Sequence, residues 1–504
     1  MQEPPNSHEL FKPIKNKIRS YDPLELISRV SKKIHEVENL PIEEWRGWDP
    51  WYLYLLIKWS FEFGGENAKI KTFGNKELVK LINMIKDFDG RCGSPFLQSD
   101  GKGNVIKFLR TKAYQQFWMQ LPLGPWNIAR QFLLFNDLSS TGNVKTAFKE
   151  YSSISILDFL DLSFLVWAWL SSHDSEISFV RNIIFSKTII PKNTIDNYFN
   201  YLSLDISTAK TYLLSRPNKV NDFCFQLIEP IPFIEKPFFC YGMEIVVYSI
   251  KIFESMINNY IFNQIKYKLG SNVAVSFGND FEKYIQNALS SVKLDFLTEK
   301  DLKTHFPNTK VTDYLIKSND SSVFIEVKSQ DINPKVVVFP GNTQLKNELE
   351  DSIVKATIQA ITLINTIKSS QSFDRDIKDS EPFLFIVTYK NLYLGNGKMM
   401  WNEFLESAVT CNIDPDLDIS LLPPENIAVL SIEEFDLLMA YIEQKIFTLD
   451  EILGIMVEEN SSVATMKMSF IQHLPSVKNI TLNLSYLDST FESHSKRIEG
   501  IFSK

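Results

Sequence analysis

The chain has 504 residues, 44% of them hydrophobic and 13% aromatic, enough for two or three packed domains. A net charge of −8 argues against a protein that coats nucleic acid non-specifically, and four scattered cysteines (Cys92, Cys224, Cys240, Cys411) without C-x-x-C spacing suggest neither a zinc site nor a disulfide framework. No G-x-x-x-x-G-K-[S/T] string is present, Met1 to Pro5 lacks signal-peptide character, and no apolar run reaches the roughly 18 residues of a membrane helix. A cytoplasmic, reduced protein with no membrane segment is expected. Lys and Arg stand against Asp and Glu at 32 to 28 over residues 1–270, 15 to 16 over 271–400 and 6 to 17 over 401–504. The acid excess therefore sits at the C-terminal end, and local basic patches for nucleic acid remain compatible with the total.

Residues 1–270 read as a mainly helical recognition or regulatory region, with aromatic-rich blocks at Trp45 to Phe63 and Ile154 to Leu170 separated by turns at Gly64–Gly65 and Pro122–Pro125. Asp158 and Asp161 interrupt the second block, which marks it as a buried helix. Lys107 to Arg130 interleaves Lys107, Arg110, Lys112 and Arg130 with Tyr114, Phe117, Trp118 and Trp126. Such a pattern suits a nucleic-acid platform, and it equally suits a helical core with a solvated basic rim.

Phe277 to Val292 follows with apolar residues at helical spacing, and Leu294 to Thr298 is a short strand. Thr312 to Gln330 holds two β-rich runs around the turn cluster Ser318 to Ser321, a hairpin pattern. With the turn centred on Asn319 and Asp320, Asp313 falls opposite Glu326, and cross-strand Cβ atoms lie about 4.5–5.5 Å apart. Two carboxylates so placed need a positive partner. Alternation puts Phe324, Glu326 and Lys328 on one face and Val323, Ile325 and Val327 on the other. Asp313, Glu326 and a main-chain carbonyl near Val327 form an oxygen-rich set suited to Mg²⁺, with Lys328 beside it to orient a water or stabilise a phosphorane-like transition state. The alternative is a solvated face on an open antiparallel hairpin.

Beyond the hairpin, Asp331 to Thr343 is a Pro- and Gly-containing loop whose Lys335 is a candidate phosphate contact or merely a solvated lysine. Leu345 to Ile367 reads as an amphipathic helix and Pro382 to Tyr389 as a buried strand. Pro415 to Pro424 is a surface loop, Asn426 to Ser431 a strand candidate and Ile432 to Ile446 an amphipathic helix that extends the same domain. From Gly454 onward no clear pattern emerges. The expected organisation is 1–270, a domain carrying the hairpin at 271–450, and an unassigned extension at 451–504.

The order helix, strand, strand, strand, helix, strand with D-x12-E-x-K resembles the PD-(D/E)xK, or restriction-endonuclease-like, nuclease superfamily from about Val273 to Gly395. That resemblance implies an α/β core with a central mixed sheet flanked by helices, and a Mg²⁺-dependent endonuclease in which Mn²⁺ substitutes. It adds Glu282, from the first helix, to the metal ligands, and Gln359, from the helix after the E-x-K strand, to the catalytic set. Gln359 lies on the polar side of its helix with Ser352, Lys355 and Thr362, facing either solvent or the site. Thr312 stands where a Pro often precedes the first Asp, and the Tyr four residues after the Gln is missing, which argues against the RecB-like branch. Implied partners are nucleic acid, DNA favoured over RNA, a regulatory protein, and a second copy for cutting both strands. The pairing with a long helical region resembles bacterial antiphage effectors. The competing class is a non-catalytic nucleic-acid or protein-binding scaffold on a nuclease-like fold.

Overall fold

The computed structural model describes residues 6–502 apart from 46, 66–69, 93–102, 121–122, 140–142, 173–177, 181–184, 217–218, 243, 334–335, 338–341, 372, 462–464, 466 and 476–482. Lys335 lies outside the described residues. The chain divides into two compact units, one of Met1–Asn136, Gly142–Gly270 and Glu492–Lys504, the other of Asp137–Thr141 and Ser271–Phe491. Each is mixed α/β, with one small mixed sheet.

The first unit opens on α1 (Ser7–Ile18), α2 (Pro23–Glu38), α3 (Pro50–Phe63) and α4 (Asn75–Cys92). Asp22 and Asp49 each precede a proline at the first helical turn and accept hydrogen bonds from backbone N–H groups the helix leaves unpaired, those of Leu24 and Glu25 for Asp22 and of Trp51 for Asp49. Helix α3 is buried on nearly every side, which is why its aromatic sequence shows little amphipathic pattern. Its Lys58, 1% exposed, donates to Glu229 at 2.7 Å and Gln226 at 2.9 Å. Burial lowers the Lys58 ammonium against the pull of Glu229.

Further along come α5 (Gly103–Gln116), α6 (Pro125–Phe132), α7 (Ile156–Ser172), α8 (Phe223–Gln226) and α9 (Ile250–Tyr267). The buried Asp161 of α7 accepts from Arg497 Nη1 at 2.6 Å, so this apolar helix carries a paired charge. Among the described residues no single helix is long and apolar enough to cross a membrane. Arg110 and Arg130 are each only 3% exposed while Tyr114, Phe117, Trp118 and Trp126 are half-buried, so the two arginines form neither an exposed platform nor the solvated rim expected around a core.

Two features of this unit went unread. Strands β1 (Ser178–Val180), β2 (Ser203–Asp205), β3 (Phe238–Tyr241) and β4 (Glu244–Val247) form a sheet in the order β1-β4-β3-β2, antiparallel except for β2 with β3. Elements of three or four residues are too short for alternation to show against helical surroundings. The cysteines also correct expectation: Cys92 at the end of α4 is bonded to Cys224 in α8, with Cα atoms 5.6 Å apart. Their separation of 132 residues has no signature in spacing, because the fold alone brings them together.

Glu38, the last residue of α2, accepts hydrogen bonds from the Ser249 hydroxyl (2.6 Å), the Ile250 N–H (3.1 Å) and the Tyr54 hydroxyl, which fastens it to the start of α9. Burial outweighs these bonds and pushes its carboxyl from the ordinary 4.5 up to about 7. Its contribution to stability is fully present below the unfolded value and is lost as pH rises through the folded one. Glu38→Gln is therefore expected to gain stability relative to the parent as pH goes from about 5 to about 8, read from paired thermal melts. Cys92→Ser is expected to lower the stability of the first unit by about 2–4 kcal/mol in denaturant melts followed by tryptophan fluorescence, with the reduced parent converging on the variant.

The second unit starts with α10 (Ser271–Ser291), then β5 (Asp295–Thr298), α11 (Glu299–His305), β6 (Tyr314–Lys317) and β7 (Ser321–Lys328). Helix α12 (Asn342–Leu349) runs through a π turn at Glu350–Val354 into α13 (Lys355–Ser369), followed by β8 (Glu381–Thr388), β9 (Ile427–Ser431) and α14 (Ile432–Glu443). The strand order is β5-β6-β7-β8-β9, antiparallel from β5 to β7 and parallel from β7 to β9. Strand β9 thus extends the sheet. Strand β7 lies in its middle and is buried along all but its last residue, so neither of its faces is the open face of a free hairpin. The stretch without clear pattern holds the second half of α15 (Leu449–Asn460) and all of α16 (Ser485–Glu499), the latter belonging to this unit up to Phe491. The Tyr486 hydroxyl donates to buried Asp436 of α14 at 2.6 Å, beside a second bond from Tyr284 of α10 at 2.8 Å.

Candidate active site

The β6–β7 register pairs Tyr314 with Ile325 and Leu315 with Phe324, so Asp313, one residue before β6, falls across from Glu326. Its Oδ2 accepts from the Val327 N–H at 2.7 Å, and its carbonyl accepts from the Glu299 N–H at 2.8 Å. Glu326 has no exposed surface. Its Oε1 accepts from Gln359 Nε2 at 2.6 Å, and its Oε2 is paired with the Lys328 ammonium, which lies two residues on along the same face of β7. Gln359 Nε2 also donates to the Val311 carbonyl. Helix α13 therefore turns Gln359 toward the strand carboxylate rather than toward solvent.

Glu282 is half-buried in α10, and its carbonyl accepts from the Tyr314 hydroxyl at 2.8 Å. Burial, then the Asp313 charge, pushes Glu282 up to about 7 and Glu326 up to about 8. Burial raises Asp313 as well, against the pull of Lys328. For Lys328 burial acts downward, and Glu326, Asp313 and Glu282 together carry it above its ordinary value. These mutual effects make Asp313, Glu326, Glu282 and Lys328 one electrostatic cluster, with Gln359 hydrogen-bonded into it. Val327 stands opposite Val387 of β8 with its N–H committed to Asp313.

The cluster is poor in positive charge, with three coupled carboxylates against the Lys328 ammonium, and their raised affinities for protons express that deficit. A hard divalent cation fits such a donor set in charge and in ligand type. Among the described residues, however, no group of three or more His, Cys, Asp or Glu side chains is arranged to hold a metal. Both Glu326 oxygens and Asp313 Oδ2 already have donors, and Lys328 must leave Glu326 Oε2 to free that oxygen.

Glu299 and Lys303 of α11 escaped sequence reading. Glu299 raises both Glu282 and Asp313 and is ion-paired at 2.5 Å with Lys303. The signal was present as a capping box, in which the Thr298 hydroxyl accepts from the Asp301 N–H and the Asp301 carboxylate accepts from the Thr298 N–H at 2.9 Å, starting a helix directly beside the site.

No protein-family model, curated protein or solved structure matches this chain.

Gln359→Leu deprives Glu326 Oε1 and the Val311 carbonyl of their donor. It is expected to cost about 1–3 kcal/mol in a denaturant melt, the penalty for unsatisfied buried acceptors.

Proposed function

We propose that the second unit is a metal-dependent nuclease of the PD-(D/E)xK type, with a restriction-endonuclease-like core, that hydrolyses phosphodiester bonds in nucleic acid, DNA favoured. The observation that carries this reading is the fully buried Glu326, set beside Asp313 by strand register and bonded to both Lys328 and Gln359. An ordinary solvated face has no use for that arrangement, because burying a carboxylate is costly unless its oxygens are matched.

In this reading Asp313, Glu326, Glu282 and the Val327 carbonyl would hold Mg²⁺ or Mn²⁺, which would supply Lewis acidity for water activation and for offsetting phosphate charge. Gln359 keeps Glu326 aimed into the site. Lys328, released from Glu326, places its ammonium against the phosphate oxygens or the incoming water. Hydrolysis joins the water oxygen to phosphorus, breaks one P–O ester bond, and delivers a proton to the departing oxygen. A role in bacterial defence, with the first unit receiving a trigger or partner and two copies cutting a duplex, extends the same proposal.

Purified protein with Mg²⁺ or Mn²⁺ is expected to cut DNA, while Lys328→Ala loses cutting and stays folded by circular dichroism, with a lowered unfolding midpoint because buried Glu326 loses its cation. Equal cleavage by both proteins rejects the assignment. The second reading, a non-catalytic scaffold for nucleic acid or protein, is favoured by the Lys328–Glu326 ion pair, which closes the site on itself. Absence of carboxylate-dependent Mn²⁺ binding in calorimetry, with nucleic acid present, selects it.

A further inference from the structure

Helices α1 and α4 of the first unit enclose a surface groove of about 520 Å³ that no element of that reaction uses. Its floor is apolar: Ile14 and Phe88 are buried beneath it, Leu10 and Met84 are half-buried, and Val79 remains 43% exposed. Its rim is cationic. Lys76 and Lys80 lie one helical turn apart on α4, both exposed, and neither has an ion-pair partner among the described residues. Arg91 stands at the other end of the same helix, with Asp87 as its neighbour at 3.8 Å. From Lys76 to Arg91 the groove follows α4 for roughly 22 Å, about four helical turns.

We propose that this groove is a docking site for an acidic amphipathic helix of a partner protein. The two halves of the groove select that occupant together. A nucleic-acid backbone would satisfy the lysines and leave Val79 and Met84 wet, whereas a purely apolar ligand would cover the floor and leave the lysines uncompensated. A helix laid along α1 and α4 seats apolar side chains at i, i+3, i+4 and i+7 on the floor and sets carboxylates one turn apart against Lys76 and Lys80. Packing a third helix into the groove of two others is an ordinary helix–helix contact, with axes about 8–10 Å apart. The site lies wholly within the first unit, so it stands whether or not the second unit cuts nucleic acid.

Calorimetric titration of the full chain tests this, using a synthetic helix of about four turns with leucine along one face and glutamate along its flanks. A counterpart carrying lysine for every glutamate serves as control. The acidic helix is expected to bind and the lysine counterpart not to. A Lys76→Glu/Lys80→Glu double variant is expected to weaken the acidic helix at least about tenfold. Val79→Asp is expected to weaken it as well, and both variants keep the parent's unfolding midpoint because they change exposed positions. Failure of the acidic helix to bind overturns the proposal, as does equal binding of the two helices or full affinity in the double variant. Loss of binding to duplex DNA or to phosphatidylglycerol vesicles in the double variant, with no binding of the acidic helix, reassigns the groove to nucleic acid or to a membrane surface.

Discussion

A carboxylate with no exposed surface in the central strand of a sheet is the constraint on which the second unit depends. Glu326 is unfavourable there unless its oxygens are matched, and the surrounding fold does so from two directions. Lys328 reaches one oxygen from the same strand, and Gln359 reaches the other from α13. Asp313 is fixed in turn by the Val327 N–H. Because side chains alternate, a slip of one residue in β7 would send Glu326 and Lys328 to the opposite face and undo the site along with the core. Site geometry and sheet register are therefore one property, and the parallel ladder of β7 with β8, Glu326 against Ile386 and Lys328 against Thr388, holds both.

The first unit follows the same rule with different residues. Lys58 is matched by Glu229 and Gln226, Asp161 by Arg497, and Glu38 by donors at the start of α9. Each set joins parts of the chain distant in sequence, and removing Glu229 or Arg497 leaves Lys58 or Asp161 buried without its bonded counter-charge. The Cys92–Cys224 bond adds a covalent tie between α4 and α8, next to Phe223, which stacks on Phe11 of α1 with ring centres 4.0 Å apart. Helices α1 and α4, which wall the cationic groove, are thus both anchored to α8. The groove's rim carries unmatched charge at Lys76 and Lys80, whereas the buried Lys58 and Asp161 of the same unit are ion-paired, and that contrast is what singles the groove out.

Much of the second unit was legible before any coordinates. The turn cluster at Ser318 to Ser321 set the register that places Asp313 across from Glu326, a continuous apolar run marked β8, and Asn426 to Ser431 read as a strand candidate where β9 runs. Helices α10 and α13 were visible as apolar stripes. Reading was weakest where elements are short or contacts distant. The three- and four-residue strands of the first sheet leave no periodic trace, and in the segment from Lys107 to Arg130 the burial of Arg110 and Arg130 departs from both the platform and the solvated rim.

By itself the sequence determined the local terms: which residues alternate on β7, where helices start on Asp22, Asp49 and Thr298, and that Asp313, Glu326 and Lys328 come within reach of one another. These follow from turn chemistry, capping and side-chain period, all set by neighbours along the chain. Only the tertiary structure decided that Glu326 is sealed from solvent, that Gln359 turns inward to it, that Cys92 meets Cys224 and that α1 and α4 leave a groove between them. Those outcomes depend on long-range packing, in which the partner that fixes a side chain lies far away in sequence and leaves no mark beside it.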